Sequence, residues 1–304
     1  MITDFPEYLF EPPDHIKSVY SYKVNAGKQI CKKKSIVFCG ICRDVEDTIQ
    51  RNILRIQRTG DLFNRHTGIL YENDSKDNTV SIISNNISQD WTFISEHRND
   101  KNYRSDLHNG KDPWHFNRCK ILAECRNKYL EVLYSNYNDY DYMCVIDLDI
   151  KGGWSYDGIC HGIFTLESHQ NYACVSSYGV LSEPYGIDSL EEHNQTSYVM
   201  YDSLAFRPLS FTEGIHILRT PAFNKIVFRR GDDPVEVRSN FGGLSIYKIP
   251  LLNNHKYGAK EWKDGFVDPD HAILNQSIID DGNKIILDPS MIVSYSQHAL
   301  METS

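Results

Sequence analysis

The chain has 304 residues, 40% of them apolar and 24% charged, which is enough to bury a core and excludes disorder of the whole. Its 32 basic residues against 41 acidic ones leave a net charge of −9. A nucleic-acid binder needs a clustered basic face to neutralise phosphates, so that class is excluded, whereas a small phosphate-bearing ligand needs only a few cations or a metal. No apolar run reaches the ~18 residues that would encode a membrane span. The acidic start MITDFPEYLFEPPDH lacks the basic and apolar blocks of a secretory signal, and the thiols are scattered, as in a reducing compartment. A cytoplasmic protein is the expectation.

Residues 1–34 read as an N-terminal extension that packs on the body and ends in Lys32, Lys33 and Lys34. From residue 35 the pattern becomes α/β. Ser35–Gly40 is a short apolar strand. Cys39 and Cys42 form a C-x-x-C, but no second pair exists to complete a zinc site, so the thiols read as small core residues. Asp44 is placed to cap a helix in which Val45, Ile49, Ile53 and Ile56 recur at helical spacing, with Gly60 as its stop. Gly68–Tyr71 is a second strand, running into the polar turn Glu72 to Thr79, and a helix is expected over Val80–Ser84. Residues 97–117 are polar and punctuated by Gly and Pro, hence a loop. A long helix follows from Arg118 to Tyr134, with Leu122, Cys125, Tyr129 and Leu133 on one face. Tyr142–Ile146 is a continuous apolar run of strand length that ends at Asp147-Leu148-Asp149.

Alternating strands and helices over residues 35–150 imply right-handed βαβ units and a mainly parallel sheet. Ligands of such sheets bind beyond the carboxyl ends of the strands. Both acidic clusters, 72–77 and 147–149, follow apolar strands and so fall on one edge. Residues 151–304 read as less regular, with apolar runs at Ala173–Val175, Gly243–Tyr247 and Ile285–Leu287 between aromatic and Gly-rich loops.

Asp147-Leu148-Asp149 is the sharpest chemical signal. Carboxylates two apart on an extended segment point to opposite sides, so both serve one site only if a turn begins there, and Lys151-Gly152-Gly153 supplies it. Charge at the end of a buried strand is costly without a partner. A divalent ion such as Mg²⁺ or Mn²⁺, held by one or two carboxylates and substrate phosphates, answers that need. The cluster Glu72-Asn73-Asp74-Ser75-Lys76-Asp77 reads equally as a polar turn or as a rim for a nucleotide base and ribose. Arg118 and Arg126 lie within about a quarter turn of each other on their helix. They form either a salt-bridged surface with Glu124 and Glu131 or a counter-charge to a diphosphate. Trp154 and Tyr156 are core residues or a stacking face for a sugar. Gly242-Gly243 is a close-approach point or a bulge.

In this order, the clusters resemble the nucleotide-binding half of GT-A type glycosyltransferases, with mannosyltransferase-like families nearest. The likeness runs through IVFCGICRDVEDTI, ILYENDSKDNT, LAECRNKYL and YMCVIDLDI, and resumes at FGGLSIYKI, DGFVDPDHAILNQSI and KIILDPSMIVSYSQH. It implies a Rossmann-like, mainly parallel sheet flanked by helices, with an irregular acceptor-binding second half. A single catalytic domain would span 35–304, with 35–150 binding nucleotide and 151–304 binding acceptor. It further implies that Glu72, Asn73 and Asp74 contact base or ribose, and that Arg126 and Asn127 contact phosphates or sugar. Asp147 and Asp149 would hold ribose and metal, and His298 would complete the metal site. Asp270 would be the acidic residue beside the acceptor, acting as base if the enzyme inverts and orienting the acceptor if it retains. Asp268 competes for that role, because the chain has Asp-Pro-Asp-His where relatives carry a glutamate before the histidine. The implied reaction moves a sugar from a UDP- or GDP-sugar to a hydroxyl, such as that of a glycan, with Mn²⁺ or Mg²⁺. One rival is a sugar-1-phosphate nucleotidylyltransferase, which needs a Gly-rich basic loop after the first strand. The other is a non-catalytic carbohydrate- or metal-binding protein on the same fold.

Overall fold

The computed structural model describes residues 5–98, 116–183, 197–202, 204–210, 227–263 and 267–295. The first half of the chain runs through α1 (Lys17–Cys31), β1 (Ser35–Cys42), α2 (Glu46–Gly60), β2 (Arg65–Asn73), α3 (Thr79–Asn86), β3 (Thr92–Glu96), α4 (Phe116–Asn136) and β4 (Tyr142–Ile146). Then come β5 (Gly153–Trp154), α5 (Tyr156–Glu167), β6 (Tyr172–Glu183), β7 (Ser197–Met200), β8 (Arg207–Pro208), β9 (Val235–Ser239) and β10 (Leu244–Lys248). The last elements are β11 (Lys260–Glu261), β12 (Val267–Asp268), α6 (Asp270–Asp280) and β13 (Lys284–Ser294).

Eleven strands form one mixed sheet in the order β3-β2-β1-β4-β10-β6-β13-β9-β8, with β5 joined to β13 and β7 to β6. β3, β2, β1 and β4 are all parallel. β10 enters antiparallel between β4 and β6, and β6 and β13 are again parallel. Strand alternation sorts side chains onto two faces. On one, Ile36, Phe38 and Cys144 meet Val24 of α1, Ile49, Ile53 and Ile56 of α2, and Ile159 and Ile163 of α5. On the other, Val37, Cys39 and Val145 meet Tyr129 and Leu133 of α4 and Leu274 and Ile278 of α6. Helices therefore flank both faces of a sheet whose first half is wholly parallel, as the strand–helix alternation anticipates. All eight cysteines are buried thiols, Cys39 and Cys42 among them. Among the described residues, no helix is long and apolar enough to cross a membrane.

One feature adds to the expectations and one departs from them. Within the less regular second half, the described residues include the two longest strands, β6 and β13, of 12 and 11 residues, which carry the sheet beyond β10. Their mixed apolar and small polar sequence, as in YACVSSYGVLSE, hides a strand because both faces are covered and no alternation is needed. Asp44 does not cap α2. It takes φ 52°, and its carboxylate accepts from the Lys76 N–H. The first amides of α2 are instead satisfied across the turn, Val45 N–H by Thr79 Oγ1 at 2.8 Å and Glu46 N–H by Asp77 at 3.0 Å. Glu46 in return accepts from the Asn78 N–H. The acidic turn after β2 is thus welded to the loop after β1.

The N-terminal segment lies on the body through α1, whose buried Tyr20, Val24, Gly27 and Cys31 face α5. Gly27 permits the approach: a Cβ there would stand 1.8 Å from the Cys160 carbonyl oxygen. Gly27→Ala is expected to force the helices apart and cost about 1–3 kcal/mol, the usual penalty of overpacking, seen as a lower melting temperature. An unchanged melt would show that the helices do not pack at this register.

Candidate active site

The carboxyl ends of β1, β2 and β4 open onto a cavity of about 350 Å³, within the range of small-ligand sites. Asp147 and Asp149 line it from the end of β4, Asn73 from the end of β2, and Arg43 from the turn after β1. Arg118, Leu122 and Arg126 of α4 form a second wall, and Asp270 and His271 at the start of α6 a third. Tyr201 and Asp202, just after β7, close the ring together with Phe241. Parallel pairing of β2, β1 and β4 puts the ends of β2 and β4 on the same edge, two strand spacings or roughly 10 Å apart.

Arg126 is the centre of this arrangement. It is only 6% exposed, yet its Nε donates to Asp270 at 2.6 Å and its Nη2 to Asp147 at 3.3 Å. Burial alone would lower its pKa, but Asp270, with Asp147 further down the order, outweighs that and raises it. Burial likewise pushes the Asp270 carboxyl up, but Arg126, His271 and the His271 N–H together hold it below its ordinary value. His271 is stacked on Phe241 at 3.9 Å, and burial followed by the nearby Arg126 charge lowers its pKa to about 3, so the ring is neutral.

Asp147 is gripped on both oxygens, by Arg126 and by the Tyr295 hydroxyl at 2.5 Å, and its N–H donates to the Gly243 carbonyl. Gly242 and Gly243 take φ 62° and 90°, and a Cβ on Gly243 would run into the Tyr295 ring. The glycine pair is therefore a close-approach point that lets β10 and Tyr295 reach the end of β4. Burial raises Asp147 above its ordinary pKa despite Arg126.

Asp149 differs in having no hydrogen-bond or ionic partner from another side chain among the described residues. Its carboxylate is open to solvent but recessed among protein atoms, and burial followed by the Asp147 charge raises its pKa to about 6. Among the described residues, no three His, Cys, Asp or Glu side chains converge to hold a metal. An oxygen-only pair, one carboxylate free and the other anchored, nevertheless fits Mg²⁺ or Mn²⁺, which take few protein ligands and complete their shells with water and phosphate. A cation there would also relieve the repulsion that raises Asp149.

Other residues singled out in the sequence stand elsewhere. Glu72 is buried beside the cavity, not on its wall, and accepts from the Ser75 N–H and the Ser95 hydroxyl, both at 2.6 Å. Asp74 takes φ 56° and accepts from the Asn73 amide. Asn127 is turned onto Tyr257, donating to its carbonyl and accepting from its N–H. Arg126 pairs with neither Glu124 nor Glu131, and Glu124 is held by Arg98. Trp154 is a core residue, 1% exposed and bonded to the Thr59 hydroxyl. Between the two candidate carboxylates of the DPDH stretch the geometry is clear: Asp268 is bound by Arg207 and the Trp262 indole, and Asp270 faces the cavity. His298, Trp114 and His115 lie outside the described residues.

Sequence reasoning missed Asp202 and Tyr295. Asp202 comes one residue after the strand SYVM, with Tyr201 between, where Asp147 directly follows YMCVI, so a similar signal, a carboxylate closing an apolar run, was present. Tyr295 carries no local signal, because its contact with Asp147 depends on the register of β13.

No family model matches the chain, and no curated protein matches it. Among solved structures it is similar to glucosyl-3-phosphoglycerate synthase of Mycobacterium tuberculosis, with 13% identity and a TM-score of 0.46, covering 90% of this chain and 76% of that one. It is also similar to a mannosyltransferase from Pyrobaculum calidifontis in complex with GDP-Man and Mn²⁺, with 11% identity and a TM-score of 0.47, covering 92% of this chain and 66% of that one.

The raised pKa of Asp149 has a consequence for stability. Its protonated form is favoured by folding, so the stabilisation is complete below the ordinary carboxylate range and is lost as pH rises through about 6. The metal-free protein is therefore expected to melt at lower temperature at about pH 7.5 than at about pH 5. Asp149→Asn removes part of that slope and melts no lower than wild type at the higher pH in EDTA. A variant that keeps the full slope and melts lower would contradict the assignment.

Proposed function

We propose that this chain is a GT-A type glycosyltransferase that moves a sugar from a UDP- or GDP-sugar to an acceptor hydroxyl, such as that of a glycan, with Mn²⁺ or Mg²⁺ at Asp149. The observation that carries the reading is an open carboxylate at the end of β4, without a side-chain partner among the described residues, in one cavity with a buried arginine on its next wall. Residues 35–150 form the donor half of one catalytic domain and 151–304 the acceptor half.

Breaking a sugar–phosphate bond leaves charge on a nucleoside diphosphate, and a bound divalent ion supplies electrostatic stabilisation of that charge. Arg126 adds a fixed donor. Its Nη1 is buried without a partner among the described residues, an arrangement that favours an incoming anion oxygen. Arg118 stands on the same wall. Asn73 offers the base or ribose an amide at the end of β2, while Glu72 and Asp74 shape the turn that presents it. Asp147, held by Arg126 and Tyr295, keeps the strand end rigid and fixes where Asp149 begins its turn. Asp270, ion-paired and depressed in pKa, is a weak base, so its part is to orient Arg126 and the acceptor side of the cavity. The nucleotidylyltransferase reading is disfavoured because Gly40 lies inside β1 and no Gly-rich loop follows it.

Release of nucleoside diphosphate from UDP- or GDP-sugars is expected to require Mn²⁺ or Mg²⁺ and to stop in excess EDTA. Asp149→Ala is expected to lose about 10²–10³-fold in rate, as when one charge-stabilising element is removed, with its melt retained. Full turnover in EDTA, or an active Asp149→Ala, would refute the reading.

A further inference from the structure

Four carboxylates line the cavity, and their partners divide their roles. Asp147 is held by Arg126 and Tyr295, Asp270 by Arg126 and the His271 N–H, and Asp149 is the carboxylate left for a cation. Asp202 is different from all three. Among the described residues no arginine or lysine hydrogen-bonds to it, and the buried cation that feels its charge, Arg207, is itself bound by Asp268. The two oxygens of Asp202 accept only single backbone amides, Ala205 N–H and Gly242 N–H, both at 3.2 Å. Each oxygen therefore keeps lone-pair capacity for one more donor.

Its placement is built in. Asp202 takes φ 63°, a left-handed backbone that costs a non-glycine residue energy unless neighbours enforce it. The neighbours do. Tyr201 N–H bonds the Gly179 carbonyl of β6, the Tyr201 ring stacks on Tyr295 at 3.4 Å, and Ala205 and Phe206 are buried behind. The strained turn thus aims Asp202 at the cavity from the acceptor half, while Asp147 and Asp149 come from the donor half. A second observation marks this space for a polar ligand: buried His271, also lining it, has both ring nitrogens without a partner among the described residues.

We propose that Asp202 is the catalytic base, receiving the proton of the acceptor hydroxyl. This rests on the glycosyltransferase reading. The acceptor oxygen forms a bond to the anomeric carbon as its proton passes to an Asp202 oxygen. The bond from that carbon to the diphosphate oxygen breaks, and its electron pair leaves with the nucleoside diphosphate. Displacement from the face opposite the leaving group inverts the anomeric centre.

The charges around Asp202 suit the role. Asp147, Asp149 and Asp270 face it from β4 and α6, Arg43, Arg118 and Arg126 stand on the same walls, and Arg207 of β8, paired to Asp268, feels its charge from behind. Burial, then the Asp147 charge, raises its pKa to about 7, near the value at which a base is most effective at neutral pH.

The test uses UDP- and GDP-sugars with Mn²⁺, water serving as the acceptor, and follows release of the nucleoside diphosphate. Asp202→Asn is expected to lose about 10²–10⁴-fold in rate, the range for a lost general base, while binding UDP or GDP with Mn²⁺ within threefold of wild type (roughly 0.6 kcal/mol). Wild-type kcat/KM is expected to fall on the acid side of neutrality, and Asp202→Glu to recover part of the rate. An Asp202→Asn variant that turns over at the wild-type rate, a flat wild-type pH profile, or equal loss of nucleotide binding would overturn the assignment of the base alone. A wild-type protein that binds no nucleoside diphosphate with Mn²⁺ would overturn the glycosyltransferase reading and this one with it.

Discussion

A buried guanidinium between two carboxylates organises this molecule. Arg126 ties α4 to the N-terminus of α6 through Asp270 and to the end of β4 through Asp147, with the Phe241 and Tyr257 rings beside it at 5.2 and 5.9 Å. Removing one member of such a largely buried set costs up to about 3–5 kcal/mol, because the remaining charges lose their partner where protein atoms replace most of their water. The constraint works in both directions. Two acidic residues can be brought together at a strand end only because Arg126 is there. Arg126 can be buried only because both carboxylates face it.

That constraint leaves the site with an uneven division of charge. One cation is shared by Asp147 and Asp270. Asp149 and Asp202 are outside its hydrogen bonds, and burial raises both. These two carboxylates sit on opposite halves of the chain, one at the end of a parallel strand and the other after a strand that pairs antiparallel. A cation at the first lowers the charge facing the second. Perturbed carboxylates gathered in one cleft are the mark of a ligand site.

Much of the first half was legible in the sequence. YMCVI is strand β4 to the residue, because five apolar residues followed by a carboxylate leave little alternative. The shared edge of the 72–77 and 147–149 clusters follows from strand–helix alternation and chain handedness. The α4 face that carries Arg126 could be read from helical spacing. What was not legible depends on register and on distant partners. Glu72 reads as a ligand-facing acid, but Ser95 from β3 takes one of its oxygens. Asn127 reads as a binding amide, but Tyr257, 130 residues away, clamps it. Asp44 reads as a helix cap, but Thr79 and Asp77 arrive to do that work. Asp202 closes an apolar run as Asp147 does, but that run, β7, is only four residues long and is fixed as a strand by pairing with β6.

The most direct measurement is anomalous diffraction from a crystal grown with UDP or GDP and Mn²⁺, collected at the manganese edge. The account predicts one strong peak at coordination distance from an Asp149 carboxylate oxygen, shared with the diphosphate, with Arg126 Nη1 turned toward a phosphate oxygen. A nucleotide bound in the cavity with no manganese at Asp149, or manganese and nucleotide bound away from the end of β4, would contradict it.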